Sequence, residues 1–376
     1  MKGICRLFFC VSVVFLFFSP PALARDLFVD SGQALGLLGI SSRVVLQDLD
    51  GDSDLDAYVT QTDGWGDMIW FNNGAGVFSA AAIAPANIYS RETGIGDLDG
   101  DKDPDLFCLN YNGPNTVWLN NGSGAFTDSG QSLGSSASYG VVLGDLDGDN
   151  DLDAFVSNSG ANRVWMNDGS ANFTDSKQAL GGGSSNQAWL ADVDGDTDLD
   201  AFVANSDGAN KVWLNDGNGS FTDSGQTLGT STSRGVAMAD LDNDGDVDAF
   251  VVNESQPDKV WLNNGTGSFS DSGQNLGNSN SRSVALGDLD GDGDVDAFVA
   301  NYGQPNTVWI NDGTGTFTDS GLALGNSNST GVALGDVDGD GDLDAFVANE
   351  SQPDKVWLNT SRDKKGPNSG IILLLE

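Results

Sequence analysis

The stretch DVDGDGDLDAFVANESQPDKVWLN at residues 336–359 decides the fold. Aspartate occupies positions 1, 3, 5, 7 and 9 of its opening loop, and two short apolar runs follow, DAFVAN and KVWLN. Reading backwards, the same acidic loop begins at Asp288, Asp240, Asp192, Asp145, Asp97 and Asp48, at intervals of 48, 48, 48, 47, 48 and 49 residues. One unit is therefore copied seven times, and no second domain is needed. In complete units a further run, GxGxFTDSG, closes the pattern, as at 217–225.

Each unit reads as four strands of about five residues, rich in Val, Phe, Trp and Leu and separated by Gly, Asn and Asp turns. NDGNG at 215–219 is a hairpin signal between the third and fourth. Seven four-stranded antiparallel units in series predict an all-β, seven-bladed propeller, because a flat sheet of that size exposes its edges. The recurring Trp70, Trp118, Trp165, Trp213, Trp261, Trp309 and Trp357 are then expected to pack between blades.

The ends of the chain predict how the ring closes. The last unit stops at Asn359 without its Phe-bearing fourth strand. LFVDSGQALG at 27–36 matches SFTDSGQTLG at 220–229, so Phe28 takes the place of the missing phenylalanine. The N-terminal strand is expected to pair with the third strand of the last blade. The domain then spans 25–360, followed by an uninformative tail at 361–376.

Composition removes several function classes. The chain has 376 residues, 55 acidic against 16 basic, no His, and a net charge of −39. Without His there is no Ser-His-Asp triad and no imidazole metal ligand. Such acidity opposes a nucleic-acid backbone or an anionic lipid surface. Residues 1–24, with Lys2 and Arg6 before the apolar run 7–18 and Ala22-Leu23-Ala24 at the end, read as a cleaved export signal. Its removal leaves a charge of −41 and Cys108 as the one remaining cysteine, so no intrachain disulfide is expected. Cys108 in DLFCLN replaces the Val of DAFVAN and is read as a small buried hydrophobe.

Of 51 aspartates, 35 lie in the seven loops. Carboxylates on every second residue repel one another unless a cation joins them. An all-oxygen donor set of high ligand number selects Ca²⁺. The loops are not EF-hands, since Val59 and Val251 stand where position 12 needs Glu, and strands flank them.

DLDGDGDVD (288–296) and DVDGDGDLD (336–344), with the motif VWxNDGxGxF, resemble the FG-GAP or VCBS repeats of bacterial secreted proteins and of the integrin α-subunit propeller. The resemblance covers about residues 26–359 and implies a seven-bladed propeller. It also implies calcium loops between the first and second strands, with side-chain ligands at positions 1, 3, 5 and 9 and a backbone carbonyl at 7. The ligands would be Asp48, Asp50, Asp52 and Asp56 in loop one and Asp97, Asp99, Asp101 and Asp105 in loop two. Loop three would use Asp145, Asp147, Asp149 and Asp153, and loop four Asp192, Asp194, Asp196 and Asp200. Asp240, Asp242, Asp244 and Asp248 follow in loop five, Asp288, Asp290, Asp292 and Asp296 in loop six, and Asp336, Asp338, Asp340 and Asp344 in loop seven. Position 6, where a left-handed backbone suits Gly, is Gly in loops five to seven but Ser53, Lys102, Asn150 and Thr197 in the others. Loops two and four are expected to bind most weakly.

A ligand surface is expected on the opposite face, among the variable connections. Trp65, Tyr111 and Tyr302 are candidates for stacking on a sugar. Arg91, Arg234 and Arg282 each stand six residues before their loop and form a candidate basic ring for a carboxylated or sulfated glycan. Trp189, where other blades have Ala, is read as a cavity filler or an aromatic contact in the channel. With four Glu and nearly every Asp assigned to metal, an acid/base pair is hard to find. The reading is an exported, monomeric, non-catalytic binding or adhesion module for extracellular glycans or proteins, with no nucleic-acid partner and no integral membrane segment. An extracellular polysaccharide-degrading enzyme and a structural matrix part are the alternatives.

Overall fold

The computed structural model describes residues 27–36, 39–64, 66–81, 90–111 and 113–361. Residues 1–24, where an export signal is expected, Trp65 and the tail beyond Ser361 lie outside the described residues. Twenty-eight strands form seven four-stranded antiparallel sheets, and the described residues contain no helix; none is therefore long and apolar enough to cross a membrane.

Blade one shows the pattern. Its innermost strand Ser41–Gln47 enters the acidic loop and returns as Asp56–Gln61, followed by Met68–Phe71 and the outer Ser79–Ala80. The second strand is buried at all six positions here, as in five other blades. Its near-continuous apolar run has neighbouring blades on both faces, which explains why it does not alternate. Innermost strands of adjacent blades touch each other around the axis.

Closure is as the sequence implies. Phe28–Asp30 pairs antiparallel with Lys355–Asn359, with Phe28 opposite Asn359 and Asp30 opposite Trp357. The Phe28 ring meets Phe298 of blade six edge-on at 5.5 Å. The same contact recurs between other blades, as in Phe78 with Phe346 at 5.3 Å and Phe173 with Phe107 at 5.0 Å. The recurring tryptophans lie under the connections between blades; left-handed Gly134 sits so close to Trp165 that any side chain would meet the ring at 3.2 Å. Only glycine fits there at φ +69.

Two polar latches repeat around the ring. The Asn after each KVWL run donates from Nδ2 to a loop carbonyl of the preceding blade, for example Asn215 to Leu146 at 2.8 Å and Asn72 to Val337 at 2.8 Å. The Gln of each DSGQ reaches the following blade: Gln33 donates to the Gly76 carbonyl at 2.6 Å and accepts from the Phe78 amide at 2.9 Å. Gln33 comes from the N-terminal segment, so the last blade is tied to the first by the device that also joins blades two to six in series, whereas blade six has Leu322 in that place. The departure is in blade one, where buried Tyr58 donates to Asp67 at 2.8 Å and lies 3.9 Å from the sulfur of buried Cys108.

Candidate functional site

The acidic loops all lie where the innermost strands end. Position 1 anchors each turn: Asp48 accepts the Gly51 amide at 2.8 Å and the Ser53 amide at 3.0 Å. Position 9 is buried in every loop, and Asp56 accepts the Leu49 and Asn72 amides at 3.0 and 2.9 Å. In loops one to five, carboxylate oxygens of positions 1, 3 and 9 converge to within 4.8 Å of one another, as in Asp48, Asp50 and Asp56. Position 5 lies outside these clusters, and Asp52 instead accepts the Asp54 amide at 3.0 Å. Position 7 turns away over the tip of the blade's own outer hairpin, where Asp54 lies against Gly74. Its side chain is directed elsewhere, which suits a position that would offer only its carbonyl.

Burial pushes the position 9 carboxyls up, to about 6 at Asp56 and Asp200 and about 7 at Asp344. At position 3, Oδ1 of Asp147, Asp194 and Asp242 is buried and has no hydrogen-bond partner. Orphaned acceptors in a converging all-carboxylate cluster fit a hard divalent cation such as Ca²⁺. Position 6 is left-handed throughout, at φ 75 for Ser53, 79 for Lys102, 72 for Asn150 and 79 for Thr197, against 96 for Gly245. Position 4 is left-handed as well, at φ 81 for Gly51 and 60 for Asn243, and glycine in six of the seven loops is the sequence signal that could have found it.

The other end of the innermost strands opens into a cavity of about 400 Å³ on the axis. Arg91, Arg234, Arg282 and Tyr302 all line it, so four of the six candidate ligand residues meet at one mouth. Tyr111 stands beside it: the Arg91 guanidinium stacks on Tyr111 at 5.0 Å and on Tyr139 at 5.1 Å, and the two tyrosines touch edge-on at 5.5 Å. Arg282 stacks on Tyr302 at 5.1 Å and donates to Glu254 at 3.0 Å. Arg234 donates to the same Glu254 from Nε at 2.8 Å, and this pair of arginines holds that carboxyl below its ordinary value against the opposing effect of burial.

Arg43 and Tyr139 are among the lining residues that the sequence did not single out. Arg43 stands one position further along its strand than the other three arginines, where the blades of Arg234 and Arg282 have Gly235 and Ser283. It donates to the Thr330 carbonyl at 2.6 Å and lies 3.8 Å from Glu92, whose carboxyl burial pushes up to about 7. Tyr139 occupies the register of Arg91 in the next blade, and only that alignment could have flagged it. Trp189 remains 37% exposed on its innermost strand and is not among the residues that line the mouth.

A family model described as FG-GAP-like repeat matches residues 48–108, 97–156, 145–203, 192–251, 240–299 and 288–347. A search of curated proteins gives no match. Among solved structures, BBS1N in complex with ARL6DN, soaked with mercury, aligns at a TM-score of 0.65 and 13% identity, covering 89% of this chain and 97% of that one. A lectin of Agrocybe aegerita that specifically recognises non-reducing terminal N-acetylglucosamine aligns at 0.52 and 23% identity, over 77% and 81%. The computationally designed Ika8 protein aligns at 0.53 and 13%, over 86% and 98%. At these identities the likeness is one of fold. With matched repeats running from residue 48 to residue 347, the chain belongs to the FG-GAP-like repeat family.

Proposed function

We propose that this protein is exported and, as a calcium-stabilised propeller, binds extracellular glycan or protein ligands at the axial mouth without transforming them. The observation that carries the reading is the contrast in register at the mouth. Ser42, Arg91, Tyr139, Asn186, Arg234, Arg282 and Thr330 occupy one equivalent position in seven blades that are otherwise near copies. Closure of the ring does not require that variety, and recognition of an asymmetric ligand does. The volume suits a small ligand or the end of a longer one, since such pockets span roughly 300–1,000 Å³.

The carboxylates near the axis support a non-catalytic role. Glu254 is engaged by two arginines, and buried Glu92 is not among the residues that line the cavity. Among the described residues that line the cavity, Glu350 is then the single carboxylate, without the partner that paired acid and base catalysis needs. The likeness in fold to a lectin is consistent with a sugar as ligand.

Calcium in the seven loops would supply the stability that disulfides give other exported proteins. At ten times its dissociation constant each ion contributes roughly 1.4 kcal/mol. The test is an array of glycans and extracellular proteins probed with the calcium-loaded protein, beside a polysaccharide turnover assay. Retention of a ligand without turnover is the expected result; sustained turnover at ordinary enzymatic rates overturns the reading.

A further inference from the structure

We infer that the axial mouth selects a saccharide bearing a compact oxyanion, a carboxylate or a sulfate, and rejects the same saccharide when it is uncharged; this rests on the mouth being the binding site. The chain has only 16 basic side chains, yet four arginines, Arg43, Arg91, Arg234 and Arg282, gather on this one axis. Glu350 is the single carboxylate among the described residues that line the cavity, while Glu92 and Glu254 pair with three of the arginines, so positive charge is in excess at the lining of a molecule of net charge −39. An anion is repelled by the surface as a whole and welcomed here.

The geometry shows where that anion belongs. Arg91 pairs with no carboxylate among the described residues; Tyr111 and Tyr139 fix its plane instead, leaving its N–H groups for a ligand. Arg43 Nε and Arg282 Nε are buried without a hydrogen-bond partner. A buried unsatisfied donor is costly, and Arg43 Nε has only Glu92 at 3.8 Å, so an acceptor from outside has something to gain at both. The guanidiniums also crowd one another: burial lowers the pKa of Arg43 and Arg282, and Arg234 lowers each further. An oxyanion relieves that repulsion, and planar forks take carboxylate or sulfate oxygens in pairs.

The remaining lining is uncharged and hydroxyl-rich, with Ser42, Thr62, Thr330, Asn186 and the Tyr302 ring. It suits the hydroxyls of a sugar ring better than the apolar side chains of a peptide.

The experiment is calorimetric titration of the calcium-loaded protein with a galacturonic acid trimer, its fully methyl-esterified form, and a sulfated galactose trimer. The acid or the sulfate is expected to bind at least tenfold more tightly than the ester, and the tighter of the two identifies the source of the oxyanion. Raising the salt concentration should weaken that binding. Arg91→Gln and Arg282→Gln should each cost the charged trimer tenfold or more and leave the ester unchanged, with circular dichroism and the melting temperature confirming the fold. Arg91→Lys, which retains charge and loses the planar fork, should fall between. Equal binding of acid and ester, wild-type affinity in the Gln variants, or no binding of any trimer overturns the inference. Array ligands that are uncharged and indifferent to the Gln variants would do so while leaving the binding-module reading intact; shortening of the trimer would instead overturn that reading.

Discussion

The two ends of the innermost strands obey different rules. At one end, seven aspartate loops repeat the same hydrogen bonds, down to the position 9 carboxylate that accepts an amide from Asn72, Asn120, Asn167, Asn215, Asn263, Asn311 or Asn359. At the other, one register holds Ser, Arg, Tyr, Asn, Arg, Arg and Thr. Closing a ring of seven blades demands seven compatible interfaces, and the loops and their Asn latches belong to those interfaces. The mouth residues also bond across seams, as Arg43 does to the Thr330 carbonyl and Arg282 to Glu254, but differently at each one. Repetition marks what holds the molecule together, and its interruption marks what the molecule meets.

That division can be broken most severely at the seam. Deleting residues 25–36 removes the strand opposite Lys355–Asn359, the Phe28 contact and the Gln33 bridge to blade one. Global, cooperative loss of folding in a denaturant titration is expected; a small local loss would show that the ring tolerates an open edge. Chelation is the next largest perturbation. Excess chelator should lower the melting temperature by tens of degrees, since seven sites of roughly 1.4 kcal/mol rival the stability of a whole domain. An unchanged melt would remove calcium from the account of the acidic face.

On the mouth side, the loops between second and third strands are capped by Asn115, Asn162, Asn210 and Asn306 in four blades, but by Asp67, Asp258 and Asp354 in the others. Burial pushes the Asp258 carboxyl up to about 8 and Asp354 to about 7. The folded pKa lies above the unfolded value near 4, so the proton is held more tightly in the folded state. Stability from this source is complete at low pH and declines as pH rises from about 4 through 8. Asp258→Asn should therefore gain on the wild type between pH 5 and 9, by up to a few kcal/mol at the upper end, in chemical denaturation at each pH. Parallel curves would mean that the site is wetter than its burial implies. The smallest effect concerns inequality among the loops. Thr197→Gly, at φ 79, should stabilise the calcium-loaded protein by about 1 kcal/mol through relief of left-handed strain. The same substitution at Lys102 tests whether the loops are equal once that strain is gone.

Much of this was legible before the structure. A period near 48, set by the aspartate loops, carried the propeller, and the out-of-order match of residues 27–36 carried its closure, because a copied unit must repeat both its turns and its packing residues. Position 6 of the loops was legible for the same kind of reason, since glycine in three copies exposes a backbone demand on the other four. Arg43 was not. It stands five residues before its loop, and the spacing of six shared by Arg91, Arg234 and Arg282 passes over it. The Asn latches also escaped notice, because asparagine in a turn is ordinary and its reach into the preceding blade is a tertiary fact.

The seam between Phe28 and Asn359 also governs when the molecule can become complete. Its first strand has no partner until the last blade has been synthesised, so every partial chain carries an unpaired β edge. Two chains finishing close together can each lend that strand to the other, which makes a strand-exchanged dimer the natural side product of crowded folding. Dilution during refolding should raise the yield of single rings, because a chain's own first strand then meets its last blade before a stranger's does.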